Sequence, residues 1–193
     1  MDIDARFVPK GFDSSTLTDQ NLLRDIAFGF IGRLGSEVYS ERKRMLEFAS
    51  SNLDLKILRT EPGRDYAKAL NRIQTFVSAD ICIGEYMAKN FEAMACGCLL
   101  LAWRQGNGEE DALGLQDGDN VLLYGSPSEL LEKAIWIDDN PERASEIARR
   151  GHRLALEKFD YRTLSKRLFE QLAEAIPSPM RQRFIHRILA RFL

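Results

Sequence analysis

The chain has 193 residues, 45% of them hydrophobic and 29% charged, which is the composition of one globular domain with a sizeable core, with or without a tail. Its 27 Lys and Arg against 29 Asp and Glu leave a net charge of −2, so electrostatics give no reason to expect nucleic acid as a partner.

Residues 1–25 are mostly polar and read as a connector, with Arg6-Phe7-Val8-Pro9 as a short edge strand. Ile26 to Gly32 is an apolar run closed by glycine, the pattern of a buried strand. A charged helix over 40–50 follows, then a second strand at Leu55-Lys56-Ile57-Leu58. Pro62-Gly63 breaks the chain. Ala67, Leu70, Ile73 and Val77 recur at helical spacing, which predicts a helix over 64–79, and Asp80 to Gly84 reads as a third strand. Asn90 to Cys96 is a short helix closed by Gly97, a C-terminal signal. Cys98 to Ala102 is a fourth strand, 104–120 a Gly- and acid-rich loop with one helical turn, and Val121 to Tyr124 a fifth strand. Ser126-Pro127, Asn140-Pro141 and Asp160-Tyr161 open three helices. Leu130, Leu131, Ala134 and Ile135 form one face of the first, and Leu164, Leu168, Leu172 and Ile176 are the inward set of the last. Short apolar strands alternating with helices predict an α/β fold, a Rossmann-like parallel sheet with helices on both faces. The division expected is a connector over 1–25, a domain over 26–176 and a basic amphipathic tail helix over 177–193.

In that tail Phe184, Ile185, Ile188, Leu189 and Phe192 share helical spacing, with Arg181, Arg183, Arg187 and Arg191 between them. The pattern suits a helix lying on an anionic membrane surface. It also suits a helix packed on a neighbouring domain or a second copy, which is the reading preferred here. The acidic start Met1-Asp2-Ile3-Asp4 is followed by no apolar segment, and no apolar run approaches the roughly 20 residues of a spanning helix. The expectation is a cytoplasmic protein, touching at most the inner membrane surface. Cys82, Cys96 and Cys98 lie in or beside apolar segments, an odd number that fits a reducing compartment. Cys96-Gly97-Cys98 is shorter than the usual metal or redox spacing. Neither His152 nor His186 has a nucleophile beside it, and no metal site is assigned. Gly29 to Gly35 departs from Gly-x-Gly-x-x-Gly, and an arginine, Arg59, ends the second strand, so a dinucleotide site is not expected.

A parallel sheet binds ligands at the carboxyl ends of its strands. There lie Gly32-Arg33, the 59–63 loop and the segment Gly84 to Glu92. The amides that open the helix after Lys89 suit a diphosphate, and Lys89 adds a point charge. Glu92 has two readings: acceptor for the vicinal hydroxyls of a ribose, or complement to the dipole at the helix start.

Phe91-Glu92-Ala93-Met94-Ala95-Cys96-Gly97, followed by Leu99-Leu100-Leu101, resembles the Glu-Ala-Met-Ala-x-Gly signature of group one glycosyltransferases. It is most similar to the bacterial subgroup with a basic residue three positions before that Glu. Gly106-Asn107-Gly108-Glu109-Glu110, Asp117-Gly118-Asp119-Asn120-Val121-Leu122, Ser126-Pro127-Ser128-Glu129-Leu130, Asn140-Pro141-Glu142-Arg143 and Phe159-Asp160-Tyr161 follow in the family's order, and the likeness runs from residue 6 to about 176. The resemblance implies the donor-binding half of a GT-B fold. Glu92 would hold the donor ribose. Gly32, Arg33 and Lys89 would contact its diphosphate, with Asn90 and Phe91 at the same helix start. Thr60, in the loop Arg59-Thr60-Glu61, would sit near the base. Glu85 stands where many relatives carry an acid that touches the sugar and is the catalytic candidate, although six residues separate it from Glu92 where the family commonly has seven. Many relatives have a Lys at the positions of Val38 or Tyr39, a part left here to Arg42 or Lys43. The activity implied is transfer from a nucleoside-diphosphate sugar, with no cofactor, to an acceptor held by an N-terminal domain of this chain or a partner. The alternative is a module that binds nucleotide and transfers nothing.

Overall fold

The structure is a computed structural model that describes residues 7–34 and 40–175. Arg6, Val38, Tyr39, Ile176 and the 177–193 tail, with the expectations attached to them, lie outside those residues. Five strands are formed: β1 (Ile26–Ile31), β2 (Leu55–Leu58), β3 (Ile73–Ser78), β4 (Leu99–Trp103) and β5 (Leu122–Tyr124). Seven helices accompany them: α1 (Ser40–Asn52), α2 (Arg64–Arg72), α3 (Ala88–Ala95), α4 (Glu109–Leu113), α5 (Pro127–Asp139), α6 (Pro141–Lys158) and α7 (Tyr161–Ala175).

All strand pairs are parallel, in the order β2-β1-β3-β4-β5. Helices α1 and α5 pack on each other and against β2 and β5, while α3 and α6 pack together against β4. Covered on both faces, the central strands are apolar throughout: Phe76, Val77, Leu100 and Leu101 are fully buried, as a parallel sheet requires. The expected Rossmann-like α/β fold is therefore the one observed. From β1 the chain steps outward to β2 and then returns across β1 to β3. The connections diverge at the carboxyl edge between β1 and β3, the switch point at which such sheets open a crevice.

Two predicted elements are displaced. The helix expected over 64–79 ends at Arg72, and Ile73–Ser78 is the central strand β3. Ala67, Leu70 and Ile73 fit helical spacing, but Ile73-Gln74-Thr75-Phe76-Val77-Ser78 is rich in β-branched and aromatic residues and has strands on both sides to pair with. The segment Asp80 to Gly84, expected as a strand, is a turn, with left-handed φ of 59° at Cys82 and 74° at Gly84. Residues 7–9 form no strand; the connector meets the domain at Phe12 instead. The Phe12 amide donates to the Phe159 carbonyl at 3.0 Å, and the Tyr161 amide donates to the Phe12 carbonyl at 2.9 Å.

The helix starts are better matched. Ser126 caps α5 by accepting from the Glu129 amide at 3.1 Å, and α6 and α7 begin where Asn140-Pro141 and Asp160-Tyr161 place them. Their inward sets were too wide. Leu164 is buried, whereas Leu168 and Leu172 on α7 and Ile135 on α5 are exposed, because nothing described packs over them. No helix of the described residues is long and apolar enough to cross a membrane.

Candidate active site

A cleft of about 1130 Å³ opens at the carboxyl ends of β1, β2 and β3, lined by Gly32, Arg33, Thr60, Tyr66, Asp80, Lys89 and Glu92 among others. It lies at the switch point. Its floor is built from apolar strand ends and three polar arrangements.

The first surrounds Lys89. Its Nζ donates to the Ile31 carbonyl at 2.7 Å and lies 5.6 Å from the centre of the Phe30 ring. A Cβ placed on Gly32 would stand 2.6 Å from that nitrogen and 2.9 Å from the ring, so glycine at position 32 is what lets the lysine lie down over β1. Burial, and then the nearby Arg42 charge, hold the Lys89 ammonium below the usual lysine range.

The second is Glu92, one turn further along α3 and therefore on the same helix face. The Tyr66 hydroxyl, from α2, donates to Glu92 Oε2. Burial pushes the Glu92 carboxyl above its ordinary value, against the opposing pull of the Tyr66 hydrogen bond and the Lys89 charge. Burial and then the Glu92 charge push the Tyr66 phenol upward, so it stays a donor.

The third is Asp80, 4% exposed. Its carboxylate receives Arg42 Nη2 at 2.6 Å, the Ser78 hydroxyl at 3.2 Å, the Met87 amide at 3.1 Å and Asn90 Nδ2 at 2.7 Å. It ties the start of α3 to α1 and to the end of β3. The turn before α3 is held from its other side. Glu109 accepts from the Tyr86 amide at 3.1 Å, and Glu110 accepts from the Tyr86 hydroxyl at 2.8 Å and the Gln105 amide at 2.7 Å. The two acids that open α4 thus act as braces.

Helix α3 presents an uncapped end to the cleft. Its N-cap is Met87, with no side-chain cap, so the Ala88 and Lys89 amides have no acceptor within the helix. Gly32, Arg33, Thr60, Lys89 and Glu92 all line this one cleft, so five of the expected donor contacts are brought together. Asn90 and Phe91 are not among the lining residues. Asn90 is buried against Asp80, and the Phe91 ring lies on Phe159 with centroids 4.1 Å apart. On a helix whose cleft face holds 89 and 92, positions 90 and 91 turn toward the core. Glu85 lies outside the lining as well, its carboxylate exposed and paired to Lys10 Nζ at 2.6 Å. Sequence reasoning missed Tyr66 and Asp80. Asp80 would have stood out had β3 been placed at 73–78, since it then follows a strand end.

A family profile described as glycosyl transferase-like matches residues 21–176. No curated protein sequence matches the chain. Among solved structures it is similar to sucrose-phosphate synthase from Thermosynechococcus elongatus (15% identity, TM-score 0.61, 89% of this chain and 53% of that one). It is also similar to HepE from Anabaena in complex with UDP and glucose (14%, 0.64, 86% and 56%). A third is the C-terminal domain of a glycosyl transferase group 1 family protein, LpcC, from Francisella tularensis (12%, 0.55, 78% and 100%). The chain spans a little over half the length of the first two and all of the third. At these identities the likeness shows the fold, that of GT-B glycosyltransferases, while the profile match shows the family: the chain belongs to the glycosyl transferase-like family.

Proposed function

We propose that the cleft binds a nucleoside-diphosphate sugar and that the chain is the donor half of a glycosyltransferase. The observation that carries this is the pairing of Lys89 and Glu92 on one face of α3 above the switch point. One group suits phosphate oxygens and the other a ribose diol, about one helical turn apart. Arg33 and the Ala88 and Lys89 amides, which have no partner among the described residues, add positive potential at the same end. When the bond from the anomeric carbon to the diphosphate breaks, its electron pair goes to a phosphate oxygen. Cations and amides placed there stabilise that developing charge. The attacking oxygen belongs to the acceptor, held by a second half supplied by this chain or a partner. The two longer neighbours, of which the matched part is a little over half, and the UDP and glucose in one of them, HepE, are in keeping with this reading.

Calorimetric titration of the chain with UDP, GDP, ADP and NAD tests it. At least one nucleoside diphosphate is expected to bind more tightly than NAD. Equal or tighter binding of NAD, or binding of none, contradicts the proposal. The isolated 193-residue chain is expected to transfer no sugar, and transfer faster than donor hydrolysis would contradict the need for a second half.

A further inference from the structure

Tyr66 belongs to no motif recognised in the sequence. It sits in the first turn of α2, and its hydroxyl reaches Glu92 Oε2 from 26 residues away in the chain. Glu92 lines the cleft, and its Oε1 has no protein partner among the described residues. The terminal torsion of a glutamate is broad when nothing holds it. Each carboxylate offers about four lone-pair sites, so a single phenol donor occupies one and leaves the others for a ligand.

We propose that Tyr66 is a positioning residue: its hydroxyl fixes the Glu92 carboxylate so that its free acceptor sites meet the vicinal ribose hydroxyls of a bound nucleoside diphosphate. This rests on the ribose role given to Glu92 above. A phenylalanine at position 66 keeps the ring packing and removes only the donor. The carboxylate then turns more freely and, already pushed up by burial, titrates higher still. The titratable and charged groups around it are Tyr66 from α2, Lys89 one turn before it, and Cys96 at the helix end, with Arg42 and Asp80 acting through Lys89.

The test is calorimetry on the full chain with UDP, GDP and ADP, each paired with its 2′-deoxy counterpart, across pH. The phosphates titrate alike in both members of a pair, so the ratio of ribo to 2′-deoxy affinity isolates the 2′-hydroxyl's share of the Glu92 contact. The wild type is expected to favour the ribonucleotide. Tyr66→Phe should lower that ratio by about 3- to 10-fold, the scale of one lost hydrogen bond, and weaken 2′-deoxy binding by less, through the remaining 3′-hydroxyl. In the variant the ratio should collapse at a higher pH on acidification than in the wild type. An unchanged ratio and pH midpoint in Tyr66→Phe, while Glu92→Ala erases the preference, overturns the positioning role and leaves Glu92's role standing. A ratio near one in the wild type and in Glu92→Ala removes both.

Discussion

The two ends of α3 are finished in opposite ways. At its carboxyl end the Glu92, Ala93, Met94 and Cys96 carbonyls all find partners. Gly97, at φ 80°, lets its own amide donate to the Met94 carbonyl at 2.9 Å and the Cys98 amide donate to the Ala93 carbonyl at 3.0 Å. Arg24 then closes the Cys96 carbonyl at 2.6 Å. At its amino end Asp80 takes only the Met87 amide, the Ala88 and Lys89 amides have no partner among the described residues, and the residues one turn apart on the open face are charged and desolvated. Eight residues thus carry a stability device at one end and two open amides beside Lys89 at the other. The closed end holds the helix in place. The open end is where the proposed nucleotide would bind.

Substitutions at the two ends should therefore separate folding from binding. The largest effect is expected at the closed end. A Cβ at Gly97 would stand 2.7 Å from both Arg24 Nη2 and Asp19 Oδ2 and would have to adopt a left-handed φ. Gly97→Val should cost about 2–4 kcal/mol of folding stability, measured by urea unfolding; a change below the error of the melt would show that the end is not held as described. Next comes Glu92→Ala, which should weaken nucleoside diphosphate binding by about 1–3 kcal/mol with little change in unfolding midpoint. Unaltered affinity for UDP, GDP and ADP alike would remove Glu92 from the site. The smallest effect is a gain. Because burial raises the folded-state pKa of Glu92 above its unfolded value, ionisation penalises the folded state at pH above both values. The penalty fades as pH falls through the folded pKa and is gone below the unfolded one. Glu92→Gln should accordingly raise the melting temperature by about 1–3 °C at pH 8 and give no gain near pH 4. A gain that persists in acid would locate its cause elsewhere.

The sequence made the open end legible and the closed end nearly so. Lys89, Glu92 and Gly97 are readable from position: a basic residue at a helix start, an acid one turn on and a glycine after the end, although the helix begins at Ala88 and takes in Lys89 rather than starting at Asn90. What sequence could not show was which neighbours of Glu92 face the cleft. Asn90 and Phe91 share its segment but turn inward, since helical geometry alternates faces within two residues. Tyr66 and Asp80 were invisible for a different reason. Their roles arise from contacts made across 26 residues of chain with Glu92 and 38 with Arg42, and no local pattern encodes a long-range partner. The misplaced third strand compounded this. Taking Ile73–Ser78 as helix moved the strand edge beyond Asp80 and hid an acid that the correct strand end would have exposed. The surface of α7 shows the converse limit: Leu168 and Leu172 have helical spacing with Leu164, yet only Leu164 is buried, because periodicity gives a stripe and not what covers it.

The most direct test is a crystal structure of the chain with a nucleoside diphosphate bound. The diphosphate is expected at the amino end of α3, within hydrogen-bond distance of the Ala88 or Lys89 amide and beside Lys89 and Arg33, with the ribose hydroxyls on Glu92. A nucleotide bound with its phosphates away from α3 and Glu92 facing empty solvent would contradict it.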